Sequence, residues 1–517
     1  MSVDYLILGS GLSSLSFGAL MAKAGRKVVI LEAHDLPGGY GHTFIEKNVN
    51  CEYHFNAQLH YVWDCGEGEP VNLVLKKLGL DKEVEFVRYN EDGFDHMVVP
   101  GYKVTIPNSY EKLTERLATL FPDHAKNIAK FLETTKRLAT LISKLKSPPG
   151  ASPLRYMSQN LLSAELLLYY NKSLQQVFDK FELPLAAQSL LASQWPDFLL
   201  PPAQLSIYCW VVLFDGYMRG AYYPKKHFEH VVNSLVKLIE NNGGQIIYNQ
   251  TVTKFLRDKK RITGVIARDT TNPNILTEYN GKSVVCNFDP KLAASMIGFE
   301  HFSPKLRKQL DYEYSYSNFM VYGAVRGLDL RQHNFGSWNI FHSQQLDLNK
   351  AFNDMYELGD YSQLAFGMSA PSLVTDDPTG CPEGEQIFEL ITVANYSLFR
   401  HLKYRSAKEY NQFKTKIFNA MLDVIEEKYV PNFREHICFK MLGSPTTNAS
   451  YCWSPEGNSY GANMTPKNMG LGKIGFTTSF DNFYFCNATA GSAGFARSFH
   501  NGAVLYEYLS GESVVSI

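Results

Sequence analysis

An α/β fold interrupted by a second, α+β unit is what this 517-residue sequence predicts, and three observations predict it. A strand, a glycine-rich turn, a helix, a second strand and an acid follow one another over residues 5–32. The same strand-and-helix texture returns near residue 218 and again near 441. Between these stretches lie an apolar helical block and a mixed block of strands and helices. The economical arrangement is one discontinuous nucleotide-type domain in three segments, 1–107, 218–298 and 441–517. A second domain is inserted in two pieces, a helical segment at 108–217 and a sheet-and-helix segment at 299–440.

The first unit is the most informative. Tyr5 to Leu8 read as a short buried strand, and the stretch "ILGSGLSSLSFG" turns it into a helix from Leu12 to Ala24 that stops at Gly25. "KVVILEA" is the second strand and ends at Glu32. Gly9 makes the tight turn, and Gly11 lets the backbone approach a pyrophosphate resting on the helix N-terminus. Ser14 stands where a third glycine is expected. That position sets only how closely helix and strand pack, and Ser14 is small, as is Gly18 one turn on. Glu32 is placed to accept hydrogen bonds from adenosine ribose hydroxyls. The bland reading is a plain strand-to-helix turn in another α/β domain.

A second glycine loop, "HDLPGGYGHTF" with Gly38, Gly39 and Gly41, comes straight after that acid. A simple NAD domain has no need of it, whereas a chain passing back over a diphosphate and ribityl group must shed its side chains there. Residues 108–217 change texture. Charged amphipathic helices give way at "SPPGASP" (147–153) to apolar helices, and "LLASQWPDFLLPPAQLSIYCWVVLF" (190–214) is the greasiest stretch of the chain. Pro201 and Pro202 prevent a single helix there. The stretch reads either as core or as a membrane-facing lip, sheltered by Trp195, Trp210 and Phe214, through which a substrate tunnel opens. The chain closes with a strand, a glycine-rich loop and a helix.

Composition bounds the partners. A formal charge of −1 favours neither nucleic acid nor acidic lipid. Forty-five per cent apolar residues, with 33 Phe and 31 Tyr, fit a greasy interior or pocket. Its eight cysteines form no C-x-x-C pair and no zinc spacing with histidine, so no metal site is expected. No signal-peptide pattern and no run long enough to span a bilayer is evident. The expectation is a cytoplasmic protein, peripheral at a membrane if the apolar block is a lip. Nothing in the sequence bears on oligomeric state.

The set of segments resembles the flavin-dependent phytoene desaturase, carotenoid isomerase and retinol saturase family over nearly the whole chain. The residues that carry the resemblance are "ILGSGLSSLSFGALMAKAGRKVVILEAHDLPGG", "FNAQLHYV", "GAYYP", "GGQIIYNQTV", "SVVCNFDP" and "FYFCNATAGSAG" followed by "NG". It implies a glutathione-reductase-type fold, non-covalent FAD and a lipophilic polyene or isoprenoid substrate, with desaturation, saturation and isomerisation all open. Carried over, Gly9, Gly11, Leu12, Ser13 and Ser14 would meet the diphosphate, Glu32 and Ala33 the ribose, Gly38 and Gly39 the ribityl chain, and Val252 the adenine. Gly491, Ala493 and Gly494 would bring the last loop to the pyrophosphate and flavin, Asn287 would also bind the cofactor, and a helix starting at Gly502 would point at the ring. The chain departs from the family at Asn56 and Gln58, at Lys226 and His227, and at Arg497 and His500.

His60, Tyr61, Arg497 and His500 are the candidate catalytic residues, since the family places these loops near the flavin and the substrate. Their bland readings are a packed strand end for the first pair, and a surface charge with a helix-start histidine for the second. No Ser/His/Asp or Cys/His arrangement is needed, because a bound flavin carries the hydride. Two other functions stay open: an amine-oxidase-like flavoenzyme, and a non-catalytic prenyl-lipid carrier like the Rab GDP-dissociation inhibitors.

Overall fold

The computed structural model describes residues 3–48, 51–145 and 164–515. Strand Val3–Leu8 is central to the first sheet. It pairs in parallel with Val28–Leu31 on one side and with Leu276–Cys286 on the other. Gln245–Ile247 extends the first flank and Phe483–Phe485 the second, both in parallel. Strands from the start, middle and end of the chain thus build one sheet. Gln250–Asp258 and Arg261–Asp269 add an antiparallel ribbon at its edge.

The helix Leu12–Lys23 explains its own sequence. Every residue from Leu12 to Ala22 is buried, so it has no polar face. It is sandwiched between the sheet and the helices His227–Asn241 and Phe495–Ser510. A β-carbon at Gly18 would lie 3.2 Å from Ile30 Cδ1 and 3.3 Å from Ile7 Cδ1, so a larger residue there would push helix and sheet apart.

The second sheet runs in the order Ile437–Gly443, Ser317–Arg326, Glu385–Ala394, Ala365–Ser369, Asn339–Ser343, Asp95–Val99, Tyr102–Ile106. The last two strands differ from the expected boundary at 107. They form a hairpin that leaves the first unit and pairs in parallel with Asn339–Ser343, Asp95 opposite Asn339. In "DHMVV" Asp95, Met97 and Val99 are buried while His96 and Val98 are half-buried, so one face of the strand points into the core.

The 190–217 block is interior rather than a lip. Leu190, Trp195, Leu200, Trp210 and Phe214 are each at most 2 % exposed. Trp210 stacks on Phe214 at 4.5 Å and leans on Phe131 at 5.6 Å. As read, Pro201 and Pro202 separate two helices, Trp195–Phe198 and Ile207–Arg219, but the bend folds the aromatic side chains inward against helix Ala125–Ser143. Among the described residues no helix is long and apolar enough to cross a membrane. The break at 147–153 lies outside the described residues.

Candidate functional site

The two glycine loops meet. Gly9 has φ +98°, a conformation glycine adopts at little cost, whereas Gly11 is extended at φ −63°. Gly11 is needed for space instead: a β-carbon there would lie 2.4 Å from Asn287 Oδ1, and one at Gly39 would lie 3.2 Å from the Gly11 Cα. The Gly38 N–H donates to the Ser10 carbonyl at 3.0 Å and fixes the second loop on the first. Ser14 folds its hydroxyl back onto the Gly9 carbonyl at 2.6 Å, which is how a serine fits the third glycine position. Leu12 and Ser13 form the first turn of the helix, whose leading N–H groups have no acceptor within the helix itself.

Glu32 is partly buried and already engaged. It accepts from the Ser10 N–H at 2.7 Å, the Ser10 hydroxyl at 2.5 Å and the His34 N–H at 2.8 Å. The carboxylate therefore ties the second strand to the first turn. Ala33 follows it, partly exposed. The Gln250 N–H donates to the Glu32 carbonyl at 2.8 Å. Val252, 8 % exposed and next to a bulge, is thereby held close to that strand end.

Asparagines that the glycine pattern did not reveal join the last loop to the first. Asn287 accepts from the Gly11 N–H at 3.1 Å and donates to the Cys486 carbonyl at 2.5 Å. Asn501 accepts from the Ser492 N–H at 3.0 Å, donates to the Ser492 carbonyl at 2.9 Å, and reaches the Ser13 hydroxyl at 3.4 Å. Asn501 also packs on Gly491, where a β-carbon would clash with its amide. The helix does not start at Gly502. It runs Phe495–Ser510, with Gly494 as its N-cap and Ala493 just before. Gly502 lies in its middle, where a β-carbon would sit 2.6 Å from the Ser13 carbonyl and 2.7 Å from the Phe17 nitrogen. Its job is the close crossing of two helices, which a glycine permits as readily as it permits a turn.

The candidate catalytic residues fall in two groups. Arg497 Nη2 lies 3.8 Å from Asp64, whose other oxygen binds Arg219 at 2.5 Å. Arg497 Nε and His500 Nδ1 are buried without a partner. Burial, reinforced by the Arg497 charge, pushes His500 down to about 4, so it is neutral at pH 7. On the other side, His60 Nδ1 lies 2.8 Å from Glu389 Oε2. Burial acts to lower the His60 pKa, but Glu389 outweighs it and the imidazole is held above its ordinary value. The Tyr61 hydroxyl lies 3.0 Å from Asp95 and 3.4 Å from Asp197, and its ring stacks on Tyr217 at 4.1 Å. Tyr217 meets Trp63 edge-on at 5.1 Å. A β-carbon on Gly494 would lie 3.1 Å from Trp63, so two rings, Tyr217 and Trp63, separate Tyr61 from the head of the last helix.

Asp95, Asp197, Gln194, Asn339 and Glu389 were missed in the sequence. Asp197 had a signal: it is the single acid in "LLASQWPDFLLPPAQLSIYCWVVL". The others sit in strands and helices whose pattern gives no hint of convergence. No metal-binding cluster occurs among the described residues.

A family of NAD(P)-binding Rossmann-like domains matches residues 7–78. An oxidoreductase from Methanosarcina mazei shares the fold at a TM-score of 0.60 and 16 % identity, over 98 % of this chain and 100 % of that one. The prolycopene isomerase 2 of an Oncidium hybrid cultivar is 20 % identical, over 93 % of this chain and 79 % of its own. The all-trans-retinol 13,14-reductase of Danio rerio is 24 % identical over 487 residues, 89 % of this chain and 77 % of its own, so the likeness runs through both sheets and not the Rossmann-like unit alone.

Proposed function

We propose that this chain is an FAD-dependent oxidoreductase acting on carbon–carbon bonds of a lipophilic polyene or isoprenoid, with FAD held non-covalently. The observation that carries the reading is the contact of the two glycine loops at Gly11 and Gly39, beside the first turn of helix Leu12–Lys23. A loop of this kind suits the adenosine diphosphate half common to NAD and FAD. The second loop, cleared of side chains at Gly38 and Gly39, favours the longer ribityl chain of FAD. The whole-length similarity to a retinol reductase and a prolycopene isomerase supports a polyene substrate over an amine or a carrier's prenyl chain.

In this reading Gly9, Gly11, Leu12, Ser13 and Ser14 hold the diphosphate, Glu32 and Ala33 the ribose, Gly38 and Gly39 the ribityl chain, and Val252 the adenine. Asn287 stays with the diphosphate turn through its bond to Gly11, and Gly491, Ala493 and Gly494 bring the last loop to the pyrophosphate and ring. When bound, the flavin supplies a hydride donor or acceptor, chemistry common to saturation, desaturation and isomerisation. The start of helix Phe495–Ser510 favours negative charge by about 0.3–1 kcal/mol, and the Arg497 guanidinium adds to that. Neutral His500 can donate or accept one hydrogen bond.

The test is direct. The purified protein should be yellow, and denaturation with filtration should release FAD and leave a colourless polypeptide. Incubation with all-trans-retinol or a carotenoid, with reductant or oxidant, should give a product differing by one H2 or a geometric isomer. A protein that takes up no FAD would return the carrier reading to first place.

A further inference from the structure

The buried groups around Tyr61 impose a proton count. Gln194 Nε2 donates to the Tyr61 hydroxyl oxygen at 2.9 Å and to Asp95 Oδ2 at 2.5 Å, which uses both amide hydrogens. Asn339 Nδ2 donates to Asp95 Oδ1 at 3.0 Å. The phenol has one hydrogen but faces two carboxyl groups, Asp95 Oδ2 at 3.0 Å and Asp197 Oδ2 at 3.4 Å. If that hydrogen goes to Asp95, the second contact closes only when Asp197 carries a hydrogen and donates it to the Tyr61 oxygen. Asp95 is the better anion, because two amides already donate to it. The Asp197 carboxyl has no arginine or lysine partner among the described residues.

The surroundings fit a neutral acid. Asp95 is fully buried, and burial pushes both carboxyls up to about 7. The titratable neighbours are His60, which is paired with Glu389 and whose charge acts to lower Asp197 but is outweighed by burial, and the phenols of Tyr89, Tyr217 and Tyr460, all raised by burial and uncharged. The Tyr460 hydroxyl donates to the Asp197 carbonyl and pins its helix. Gln194 Oε1, Asn339 Oδ1 and His60 Nε2 are buried without partners, so the cluster has hydrogen-bonding capacity its own residues do not use. Through Tyr217 and Trp63 it abuts the head of the last helix.

We propose that Asp197 is the proton donor for double-bond reduction, kept loaded by the Tyr61–Asp95 chain. The proposal rests on the polyene reading above. A bound reduced flavin would supply the hydride for one C–H bond as the π bond breaks, which leaves an electron pair on the neighbouring carbon. That pair forms the second C–H bond with the Asp197 proton, the O–H bond breaks, and Asp197 becomes a carboxylate. The Tyr61 hydroxyl turns to it from Asp95 until a solvent proton restores the acid. In the desaturation direction the same carboxylate takes the proton.

Infrared spectroscopy of the holoprotein between pH 5 and 9 tests the loaded acid without turnover. The parent should show a buried carboxylic acid carbonyl band at neutral pH that shifts in D2O and fades as pH rises. Asp197→Asn should lack the band, keep its flavin, and lose about a hundredfold in kcat, the usual scale for a positioned acid, with KM unchanged. Tyr61→Phe should keep a band but move its titration, and Asp197→Glu should recover part of kcat. A band that survives in Asp197→Asn, or undiminished turnover by that variant, overturns the proposal. If the parent converts no polyene, the substrate reading fails, and the infrared titration still decides whether Asp197 stores a proton.

Discussion

Gly11 donates its backbone N–H to the side-chain oxygen of Asn287, 276 residues away in the chain, at 3.1 Å. That bond joins the first turn to the end of strand Leu276–Cys286, and Asn287 passes the connection on to Cys486. Three distant segments therefore meet at one glycine.

Gly11→Val should abolish flavin retention while leaving the fold. The φ of −63° suits any residue, so strain is not the cause. The β-carbon would sit 2.4 Å from Asn287 Oδ1, and relief would require breaking the asparagine bonds just where the loops approach. Absorbance at the flavin bands after gel filtration reads the loss, with circular dichroism unchanged. A variant that stays as yellow as the parent would place the nucleotide elsewhere.

Glu32→Ala should cost stability as well as affinity. Its carboxylate holds Ser10 twice and His34 once, so removal leaves buried donors without acceptors, at about 1–3 kcal/mol. Denaturant melts of the flavin-free protein should show the loss. Weaker FAD binding with an unchanged flavin-free melt would instead confine Glu32 to the ribose.

How much of this was legible depended on whether the information was local. The first turn was readable because strand, glycines, helix and acid lie within residues 5–32 and each has one physical job. The discontinuous sheet was readable from returning texture. Gly502 was misplaced because a glycine that thins a helix crossing and a glycine that opens a helix look alike in one sequence. The greasy 190–214 stretch was ambiguous between core and lip for a similar reason: hydropathy reports avoidance of water, not what replaces it. The Asp95–Tyr61–Asp197 cluster was illegible because its members come from three elements, and only the fold sets their distances.

Gly502→Val should unfold the contact between helices Leu12–Lys23 and Phe495–Ser510. Added methyls would meet the Ser13 carbonyl and the Phe17 nitrogen, backbone atoms that cannot rotate away. Overpacking of this kind costs about 1–3 kcal/mol or more, against roughly 1 kcal/mol gained from helix propensity by the smaller Gly502→Ala. Both variants should melt below the parent, valine lowest. An alanine variant more stable than the parent would show that the helices can part at no cost.

Trp210→Ala separates core from lip. Removing a ring that is 1 % exposed and stacked on Phe214 should cost about 3–5 kcal/mol. Leu200→Asp, also at 1 % exposure, should give little folded protein, because its carboxylate would be buried without a partner. Variants that fold normally but lose liposome binding would restore the lip.

Asp197→Asn should change the pH dependence of stability in a defined direction. The carboxyl is raised from 3.8 to about 7 by burial, so the native state holds its proton where the unfolded chain has released it. Stability contributed by the neutral acid is complete below about pH 4 and is lost as pH rises towards 7, by about 1.4 kcal/mol per pH unit for an isolated group. An asparagine does not titrate and loses nothing. The variant should therefore gain on the parent between pH 5 and 8, by up to about 3 kcal/mol if the two carboxyls titrate independently, and less because Asp95 shares the proton. His96, His227, His342 and His500, all held down to about 4 by burial, slope the other way below pH 6.5. They are present in both proteins and cancel in the difference. Urea melts of parent and variant at pH 5 and pH 8 measure it, and a gap that stays constant over that range would mean Asp197 is ionised in the native protein.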